Sequence, residues 1–387
     1  MAIPLSYNVR SVIGRPWSTL ATAFGIGMVV AILVLALALA NGFQAAVIST
    51  GTPNNVIVLR KGADSELSSG IGRDQANIIK SLPDVAAGPD GRPLASPELL
   101  VVINQERKQG KGTSNVTIRG VDSEGLALRD GIKIYDGRDV APGAAELIVG
   151  KRIADRFEGF GIGQQVKLEQ RMFTVVGHFS AGGSGFESEV WGQNAVFMPI
   201  LREDFQSVTF RMRDPSHFAA IKKELESDPR LGVQVRRESD YYSDLAGPLA
   251  TTMRVLGVFI VLIMAVGALF AAMNTMFASI GARSREIATM LTLGFGKGAI
   301  LLAFLVESVL IALLGGVIGC LLALPINGTA TSTTNFSTFS EIAFAFQITP
   351  LALGIGMLFA LGLGVVGGLI PAWKASRQPL AAAMRAM

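Results

Sequence analysis

The sequence contains few of the residues on which enzymes and disulfide-stabilised secreted proteins depend. Its 387 residues include one cysteine, Cys320, and two histidines, His178 and His217. A single cysteine excludes an intrachain disulfide and leaves the redox compartment undecided. Neither histidine stands in a metal-binding spacing such as H-E-x-x-H, so both are interpreted as structural or surface residues. No nucleophile–base pair or carboxylate pair is evident either, and the sequence predicts a non-catalytic chain without a metal site.

The sequence also lacks the phosphate-binding loop that most ATPases carry. The pattern G-x-x-x-x-G-K-[ST] occurs nowhere, and the glycine-rich stretch 294–298 (GFGKG) has neither its spacing nor its Ser/Thr. We therefore expect this chain not to bind ATP in the usual way, and we expect no cofactor on it.

Charge is scarce and unevenly distributed. Charged residues make up 17% of the chain, against about a quarter in ordinary soluble domains, and the mean hydropathy is +0.46. Four windows contain no Lys, Arg, Asp or Glu: 17–58, 256–281, 309–339 and 343–372. A membrane-spanning helix needs about 20 apolar residues. The sequence therefore predicts four spans, at about 18–42, 251–279, 299–324 and 350–370.

The short flanks of these spans predict their orientation, because Lys and Arg concentrate on the cytoplasmic side. Basic residues lie before the first span, between the second and third, and after the fourth: Arg10, Arg15, Arg283, Arg285, Lys297, Lys374, Arg377 and Arg385. The hairpin 326–349 has no Lys or Arg. We predict a multi-pass inner-membrane (cytoplasmic-membrane) protein with both termini in the cytoplasm and with 43–249 outside.

Two further features qualify this topology. Ala38-Leu39-Ala40 resembles a signal-peptidase site, but the apolar run 17–40 is longer than a signal-peptide core, which favours a retained anchor. Residues 43–249 carry 25 basic and 27 acidic side chains, so a charge of +6 falls on the rest of the chain. That distribution indicates anionic lipid headgroups as a partner and no nucleic acid.

The outer segment 43–249 is predicted to contain two strand–helix–strand units. The first combines strands at 55–60 and 99–104 with a helix at 74–82, and a further strand is predicted at 115–121. The second is formed by 207–213, 216–227 and 232–237. Two such units favour a ferredoxin-like or split βαβ subdomain. A β-rich insert is predicted at about 126–198, with a hairpin turn at Glu169-Gln170-Arg171. The glycine-rich loop 181–192 is interpreted as flexible or partner-facing, with Gly182, Gly183, Phe186, Glu187 and Trp191 as its candidate residues.

Glu307 lies inside the third predicted span, where a carboxylate is energetically unfavourable unless it faces protein, water or headgroups. Two interpretations stay open: a polar contact between helices that move, or a residue at headgroup level. Asn274 in the second span is the candidate hydrogen-bond partner.

The segment 284–294 has the pattern of a short amphipathic helix between two spans. Ile287, Met290 and Leu291 share one face, and Arg285 lies on another. Ser284 is a candidate N-cap, Glu286 suits the positive helix start, and Gly294 suits the end. Such a helix can rest on lipid or dock into a groove of a soluble partner.

Several stretches together resemble the MacB/LolC/FtsX-type permeases of ABC transporters. They are ELIVGKRIADRF, FTVVGHF, GGSGFESEVW, REIATMLTLG, FLVES and PAWKASRQPLAAAMR. The resemblance implies four transmembrane helices with a large α+β periplasmic domain, and a dimer of identical or different permeases. It also implies a separate ATPase subunit, which would bind ATP and Mg²⁺. The coupling helix toward that subunit would be formed by Arg285, Glu286, Ile287, Met290, Leu291 and Gly294. A periplasmic adaptor or substrate-carrying protein is a further expected partner.

The chain departs from MacB in having no fused nucleotide-binding domain, which is expected to place the ATPase on another polypeptide and leaves macrolide export unsupported. The predicted domains are 1–42, 43–249 and 250–387. The predicted function is export or extraction of a lipid, lipoprotein, peptide or drug. An FtsX-like relay that activates a cell-wall hydrolase is the alternative, although the large outer segment favours the transporter.

Overall fold

The computed structural model describes residues 5–88, 90–108, 112–335 and 340–377, so Arg385 and the end of the tail motif lie outside the described residues. The described chain forms two units. A spanning unit comprises the residues up to 41, then 251–329, and those from 346 onward. An α+β unit comprises 42–250 and 330–345.

The spanning unit is helical, and its helices follow the predicted apolar windows. Its elements are α1 (Leu5–Ile13), α2 (Pro16–Ile48), α7 (Glu238–Ala282), α8 (Ser284–Thr292), α9 (Lys297–Ala323) and α10 (Pro350–Ser376), with the end of α2 and the start of α7 belonging to the α+β unit. By length and composition, α2, α7, α9 and α10 can each cross a membrane. The four predicted spans are therefore confirmed as helices.

Glycines let two of these helices approach each other at the backbone. An added Cβ at Gly319 of α9 would lie 2.4 Å from the carbonyl oxygen of Gly27 in α2, and one at Gly315 would lie 2.6 Å from that of Ala23. Small residues at such crossings are typical of packing within membranes, where dispersion contacts replace the hydrophobic effect.

The first half of the α+β unit is an antiparallel sheet of four strands. The strands are β1 (Asn55–Arg60), β2 (Ala95–Glu106), β9 (Ser207–Arg211) and β10 (Val233–Arg237). They pair in the order β10-β1-β9-β2. Helices α3 (Arg73–Lys80) and α6 (Phe218–Ser227) connect β1 to β2 and β9 to β10. This order, fourth-first-third-second, confirms the ferredoxin-like arrangement.

The second half is a β-rich subdomain that shares β2 with the first. Its elements are β3 (Thr113–Val121), β4 (Lys133–Gly137), β5 (Glu146–Gly150), α4 (Lys151–Arg156), β6 (Gln165–Leu168), β7 (Arg171–Ser180), β8 (Glu189–Gln193) and α5 (Asn194–Phe197). Residues 95–98 of β2 pair with β9, and residues 99–106 pair with β3. The predicted insert of 126–198 is thus too short at its start, because β3 pairs with β8 of the insert. The hairpin turn between β6 and β7 lies where it was predicted.

The hairpin between α9 and α10 also belongs to the α+β unit, which corrects the predicted domain 250–387. Its strands are β11 (Ala330–Asn335) and β12 (Ser340–Ala345). Glu341 is buried and forms ion pairs with Arg107 and Arg156. The ring of Phe344 lies edge-on to that of Phe43, with centroids 5.6 Å apart. An ion-paired and aromatic contact, invisible in the Ser/Thr-rich sequence, attaches the hairpin to this unit.

Candidate functional site

The candidate site is built around α8, the short helix between two spanning helices. Its N-cap is Arg283, not the predicted Ser284, and no side chain caps its first turn. At the other end Gly294 has φ +91°, the left-handed conformation that favours glycine. The amide of Gly294 donates to the Leu291 carbonyl and that of Phe295 to the Met290 carbonyl, which is a Schellman motif. Gly294 therefore ends α8, as its sequence predicts.

The apolar face of α8 packs against the chain's own helices. Ile287 is completely buried, and Met290 and Leu291 are half-buried beside it. The described members of this cluster, here called the α8 cluster, come from α7, α9 and α10 as well: Met276, Ile280, Ile300, Phe304, Ala372 and Ala375. Ile287 is therefore covered by helices of the same chain, whereas Met290 and Leu291 are covered only in part. The coupling role of α8 stays a prediction.

The opposite face of α8 is exposed. Arg285, Glu286, Thr289 and Thr292 lie there, followed by Leu293, whose exposed fraction is 67%. The two threonine hydroxyls donate to carbonyls within the helix, from Thr289 to Arg285 (3.0 Å) and from Thr292 to Thr289 (2.9 Å). The exposed surface of α8 consequently consists of this polar face and the leucine at its end.

Arg283, at the junction of α7 and α8, is the most highly connected polar residue around α8. Its Nη1 lies 2.6 Å from Ser11 Oγ and 3.0 Å from Glu307 Oε2, and its Nε lies 3.1 Å from Glu286 Oε2. The guanidinium also lies over the ring of Tyr7, at 4.8 Å from the centroid. One buried cation thus contacts α1, α8 and α9.

Glu307 is buried in α9 and faces protein. Its Oε1 accepts a hydrogen bond of 2.7 Å from Ser11 Oγ, and its Oε2 pairs with Arg283. Of the two open interpretations, the structure supports the contact between helices. Asn274 is not its partner: it is exposed and lines an open groove between α2 and α7.

The electrostatics around Arg283 favour the charged forms of Arg283 and Glu286 and the neutral form of Tyr7. Burial acts to lower the pKa of the Arg283 guanidinium, but Glu307, Tyr7 and Glu286 hold that pKa above its ordinary value. Burial acts to raise the pKa of the Glu286 carboxyl, whereas the Tyr7 hydroxyl and Arg283 hold it below its ordinary value. The Tyr7 hydroxyl donates to Glu286 at 2.9 Å, and burial together with this bond raises the tyrosine pKa.

The second candidate region, the loop 181–192, is mostly buried. Phe186 and Trp191 are 2% and 0% exposed, and their rings meet edge-on at 5.2 Å. Glu187 accepts hydrogen bonds from the amides of Ala181 and Gly183, both 2.9 Å, and pairs with Arg152. Only Gly182 is exposed, and Gly183 is half-exposed. The prediction of a flexible or partner-facing loop is therefore wrong for Phe186, Glu187 and Trp191, which anchor the loop in the core.

Beneath this loop lies a buried ion cluster around Arg119 of β3. Its guanidinium pairs with Glu66 at 2.9 Å and Glu189 at 2.7 Å, and it also contacts Glu98. Burial acts to raise the pKa of Glu66, but Arg119 holds it below its ordinary value. Phe186 stacks on the guanidinium at 5.3 Å. In the described part of the chain, no group of three or more His, Cys, Asp or Glu side chains could hold a metal ion.

Comparison with known protein families identifies the family of this chain. A family described as the MacB-like periplasmic core domain matches residues 19–228, more than half of the chain, and the FtsX-like permease C-terminal family matches residues 258–380. The chain belongs to the MacB/FtsX-like family of ABC transporter permeases. The resemblance found in the sequence is confirmed.

Individual relatives of this permease are distant. It is 27% identical over 382 residues to the macrolide export ATP-binding/permease protein MacB of Azoarcus sp. (strain BH72), covering 92% of this chain and 55% of that protein. The pyoverdine export ATP-binding/permease protein PvdT of Pseudomonas entomophila is 27% identical over 385 residues, with 93% and 56% covered. The chain therefore spans little more than half the length of these relatives.

Solved structures similar to the permease include two outer domains. One is the periplasmic region of MacB from Actinobacillus actinomycetemcomitans, with 11% identity and a TM-score of 0.38, covering 50% of this chain and 93% of that structure. The other is the extracellular domain of the transporter YknZ from Gram-positive bacteria, with 15% identity and a TM-score of 0.37, covering 47% and 100%.

Sequence reasoning about the permease missed Arg283, Ser11 and Tyr7. Glu307 was recognised as needing a polar contact, but its partner was sought within the second span. A cation was the better choice, because a buried carboxylate is stabilised far more by an opposite charge than by an amide. Three cations lie between the second and third spans, and Arg283 is the one that directly follows the end of α7.

Proposed function

We propose that this permease is driven by an ATPase subunit that docks on α8 and displaces it, together with the spanning helices, during ATP hydrolysis. One observation carries the proposal: the apolar face of α8 is buried in the α8 cluster with residues of α7, α9 and α10. A force on α8 therefore acts on three spanning helices through packed side chains, which transmit displacement because protein interiors are dense and poorly compressible.

The proposed ATPase-docking surface is the exposed face of α8, from Arg285 to Leu293. An exposed leucine among polar side chains is suited to a pocket on a soluble partner. The ATPase, its ATP and its Mg²⁺ are cytosolic, so this proposal places α8 and both chain termini on the cytoplasmic side of the inner membrane. The positive flanks of the spans support the same orientation.

The proposed cargo is a lipid, lipoprotein, peptide or drug that is exported or extracted as the α+β unit moves. Two relatives are named for the export of macrolide and of pyoverdine, which supports export as the activity without selecting a cargo. A second permease copy, identical or different, completes the proposed transporter, and a periplasmic adaptor or carrier would receive the cargo.

Photo-crosslinking in cells tests the docking surface. A photoreactive amino acid at Leu293 should crosslink to the ATPase, and one at Ile263, which is also exposed but lies within α7, should not. Leu293→Asp should leave a folded permease that no longer retains the ATPase during purification. The matched control is Met172→Asp, since Met172 is an exposed apolar residue of the α+β unit.

Two outcomes would contradict the proposal. One is an ATPase that co-purifies equally with the wild type and with Leu293→Asp. The other is a crosslink from Leu293 to lipid alone, which would mean that α8 rests on the membrane surface.

A further inference from the structure

Among the described residues, the α8 cluster contains members of α7, α8, α9 and α10 and none of α2. Helix α2 packs against α7, α9 and α10 in a different cluster, so its apolar connection to α8 is indirect. In the described residues, α8 and its N-cap reach the N-terminal part of the chain through polar and cation–π contacts. These are the contacts of Arg283 with Ser11 and Tyr7, and of Glu286 with Tyr7.

Three of these groups form a closed triangle. Arg283 Nη1 lies 2.6 Å from Ser11 Oγ and 3.0 Å from Glu307 Oε2, and Ser11 Oγ lies 2.7 Å from Glu307 Oε1. Ser11 donates to the carboxylate and accepts from the guanidinium. Each corner belongs to a different part of the unit: α1, the α7–α8 junction and α9. We refer to the triangle as the clasp.

Stability alone does not account for such a clasp. Arg283 and Glu307 are 6% and 4% exposed, and a buried ion pair is commonly no more stabilising than apolar side chains of similar volume. The ion pair also fixes the relative orientation of the groups that it joins. The guanidinium is planar, and its nitrogens use separate bonds, Nη1 toward Ser11 and Glu307 and Nε toward Glu286. Such a fork holds its partners in one orientation.

The corner at Ser11 continues into the first span. Helix α1 ends at Ile13 and α2 begins at Pro16, and the Thr19 hydroxyl of α2 donates to the Val12 carbonyl of α1 at 3.1 Å. Val12 is itself buried in a cluster with Ala23 of α2 and Ile311 of α9. A displacement of α1 therefore reaches α2 over a short, hydrogen-bonded connection.

A small cavity lies beside the clasp. It has a volume of about 20 Å³, enough for one water molecule. Its lining combines polar residues, among them Ser11, Arg15 and Glu307, with apolar ones such as Ile26 and Ile311. Glu307 therefore borders a space that a water molecule can occupy.

We propose that Arg283, Glu307 and Ser11 are positioning residues that fasten α8 to α1, so that a displacement of α8 moves the first span in concert with the other three. This inference rests on the proposed function, because it assumes that an ATPase displaces α8. It predicts a selective defect: when the clasp is removed, nucleotide-driven movement of α2 is reduced, because only its indirect apolar connection to α8 remains, while movement of α7 persists.

The test uses the complete complex of permease and ATPase in lipid nanodiscs, with Cys320→Ala as background. Spin labels at Leu20 of α2 and Leu369 of α10 measure the distance of the first span from α10. Labels at Phe270 of α7 and Leu369 measure the distance of the second span from α10. All three positions are exposed. Labelled chains are diluted with unlabelled chains so that intrachain distances dominate, and each pair is measured with ADP and with ATP trapped by a hydrolysis-deficient ATPase.

The informative variant is Arg283→Met combined with Glu307→Leu, which removes both charges and leaves neither unpaired. We expect wild-type thermal stability, because an apolar pair replaces the ion pair. We also expect normal retention of the ATPase, an unchanged α7–α10 response and a reduced α2–α10 response. Arg283→Lys, which keeps the charge without the fork, should show an intermediate α2–α10 response. Arg10→Met, which removes an exposed cation from the same helix α1, should behave like the wild type.

The outcomes separate the two proposals. If no label pair in the wild type responds to nucleotide, the proposed function fails. If the wild type responds and the double variant gives the same response in both pairs, the clasp proposal is overturned. It is also overturned if the double variant loses both responses, since that result would mean a general loss of coupling and no specific role toward α2.

Discussion

Different kinds of interaction stabilise the interior of the α+β unit and the interior of the spanning unit. In the α+β unit, Arg119 is buried among three carboxylates, Glu66, Glu98 and Glu189, each from a different part of the fold. In the spanning unit, helices meet through glycines, as at Gly319 of α9 against α2. Among the described ionisable groups of that unit, the buried ones are Arg283 and Glu307.

This difference follows from the surroundings of each unit. In a sheet covered by helices, side chains from several segments meet in one core, so one buried cation can pair with several anions. Spanning helices present few polar groups, and lipid supplies no hydrophobic drive between them, so close approach stabilises them instead. A lone buried ion pair within such a unit therefore calls for a reason other than stability, and positioning of α8 supplies one.

The largest loss of stability is expected from a substitution in the buried ion cluster of the α+β unit. Arg119→Met removes the cation that pairs with Glu66 and Glu189 and leaves Glu98 with Arg129 alone. It should destabilise the α+β unit by about 3–5 kcal/mol. Chemical denaturation followed by the fluorescence of Trp191, in a background with Trp17 and Trp373 replaced by Phe, measures the change. Arg138→Met is the control: Arg138 pairs with Glu146 and its side chain is 56% exposed, so its loss should destabilise the unit far less. Equal losses in the two variants would contradict a special role of the buried ion cluster in stabilising the α+β unit.

A smaller loss of stability is expected from a substitution where α9 crosses α2. In Gly319→Val the new side chain would meet the Gly27 carbonyl oxygen, since even a Cβ would lie 2.4 Å from it. Overpacking of this kind costs about 1–3 kcal/mol, which unfolding of the detergent-solubilised chain by SDS can detect. Gly362→Val is the matched control, because no atom lies within 4 Å of a Cβ added at that glycine of α10. A mild Gly319 variant beside a damaging Gly362 variant would refute close packing as the stabilising feature.

The smallest effect on stability is expected at an exposed histidine–aspartate pair, and it depends on pH. His217 Nδ1 lies 2.9 Å from Asp84 Oδ1, and this hydrogen bond, with Asp214 nearby, raises the pKa of His217 above its ordinary 6.5. A raised pKa stabilises the folded state below pH 6.5, and the contribution is lost as pH rises through the folded-state pKa. The melting temperature of wild type minus that of His217→Gln should therefore fall slightly between about pH 5 and 8. Asp84→Asn should flatten the difference, and a rise with pH would contradict the assignment.

The sequence predicts the elements of this fold well because each depends on local patterns. The spans follow from long windows without charge, and the ferredoxin-like order follows from two strand–helix–strand units. The end of α8 at Gly294 follows from a glycine that adopts φ +91°. Each of these signals lies within a few neighbouring residues, so no knowledge of the tertiary structure is needed.

Contacts between distant segments could not be predicted in the same way. The apolar face of α8 is evident from its periodicity, but periodicity does not say whether Met290 and Leu291 pack on a partner or on the chain itself. The loop 181–192 is rich in glycine and serine, which is typical of exposed loops, yet Phe186 and Trp191 bury it against Arg119. The partner of Glu307 lies 24 residues away along the chain, and only the folding of α7, α8 and α9 brings the two together.

The shared strand β2 has a consequence for how the α+β unit folds. One half of this strand completes the ferredoxin-like sheet and the other half begins the β-rich sheet, with no linker between them. A single hydrophobic core also contains residues of both halves. Neither half can open its edge strand without releasing the hydrogen bonds of the other, so the two subdomains form one cooperative folding unit. The β-rich subdomain is therefore not a separable module, although its sequence reads as an insertion.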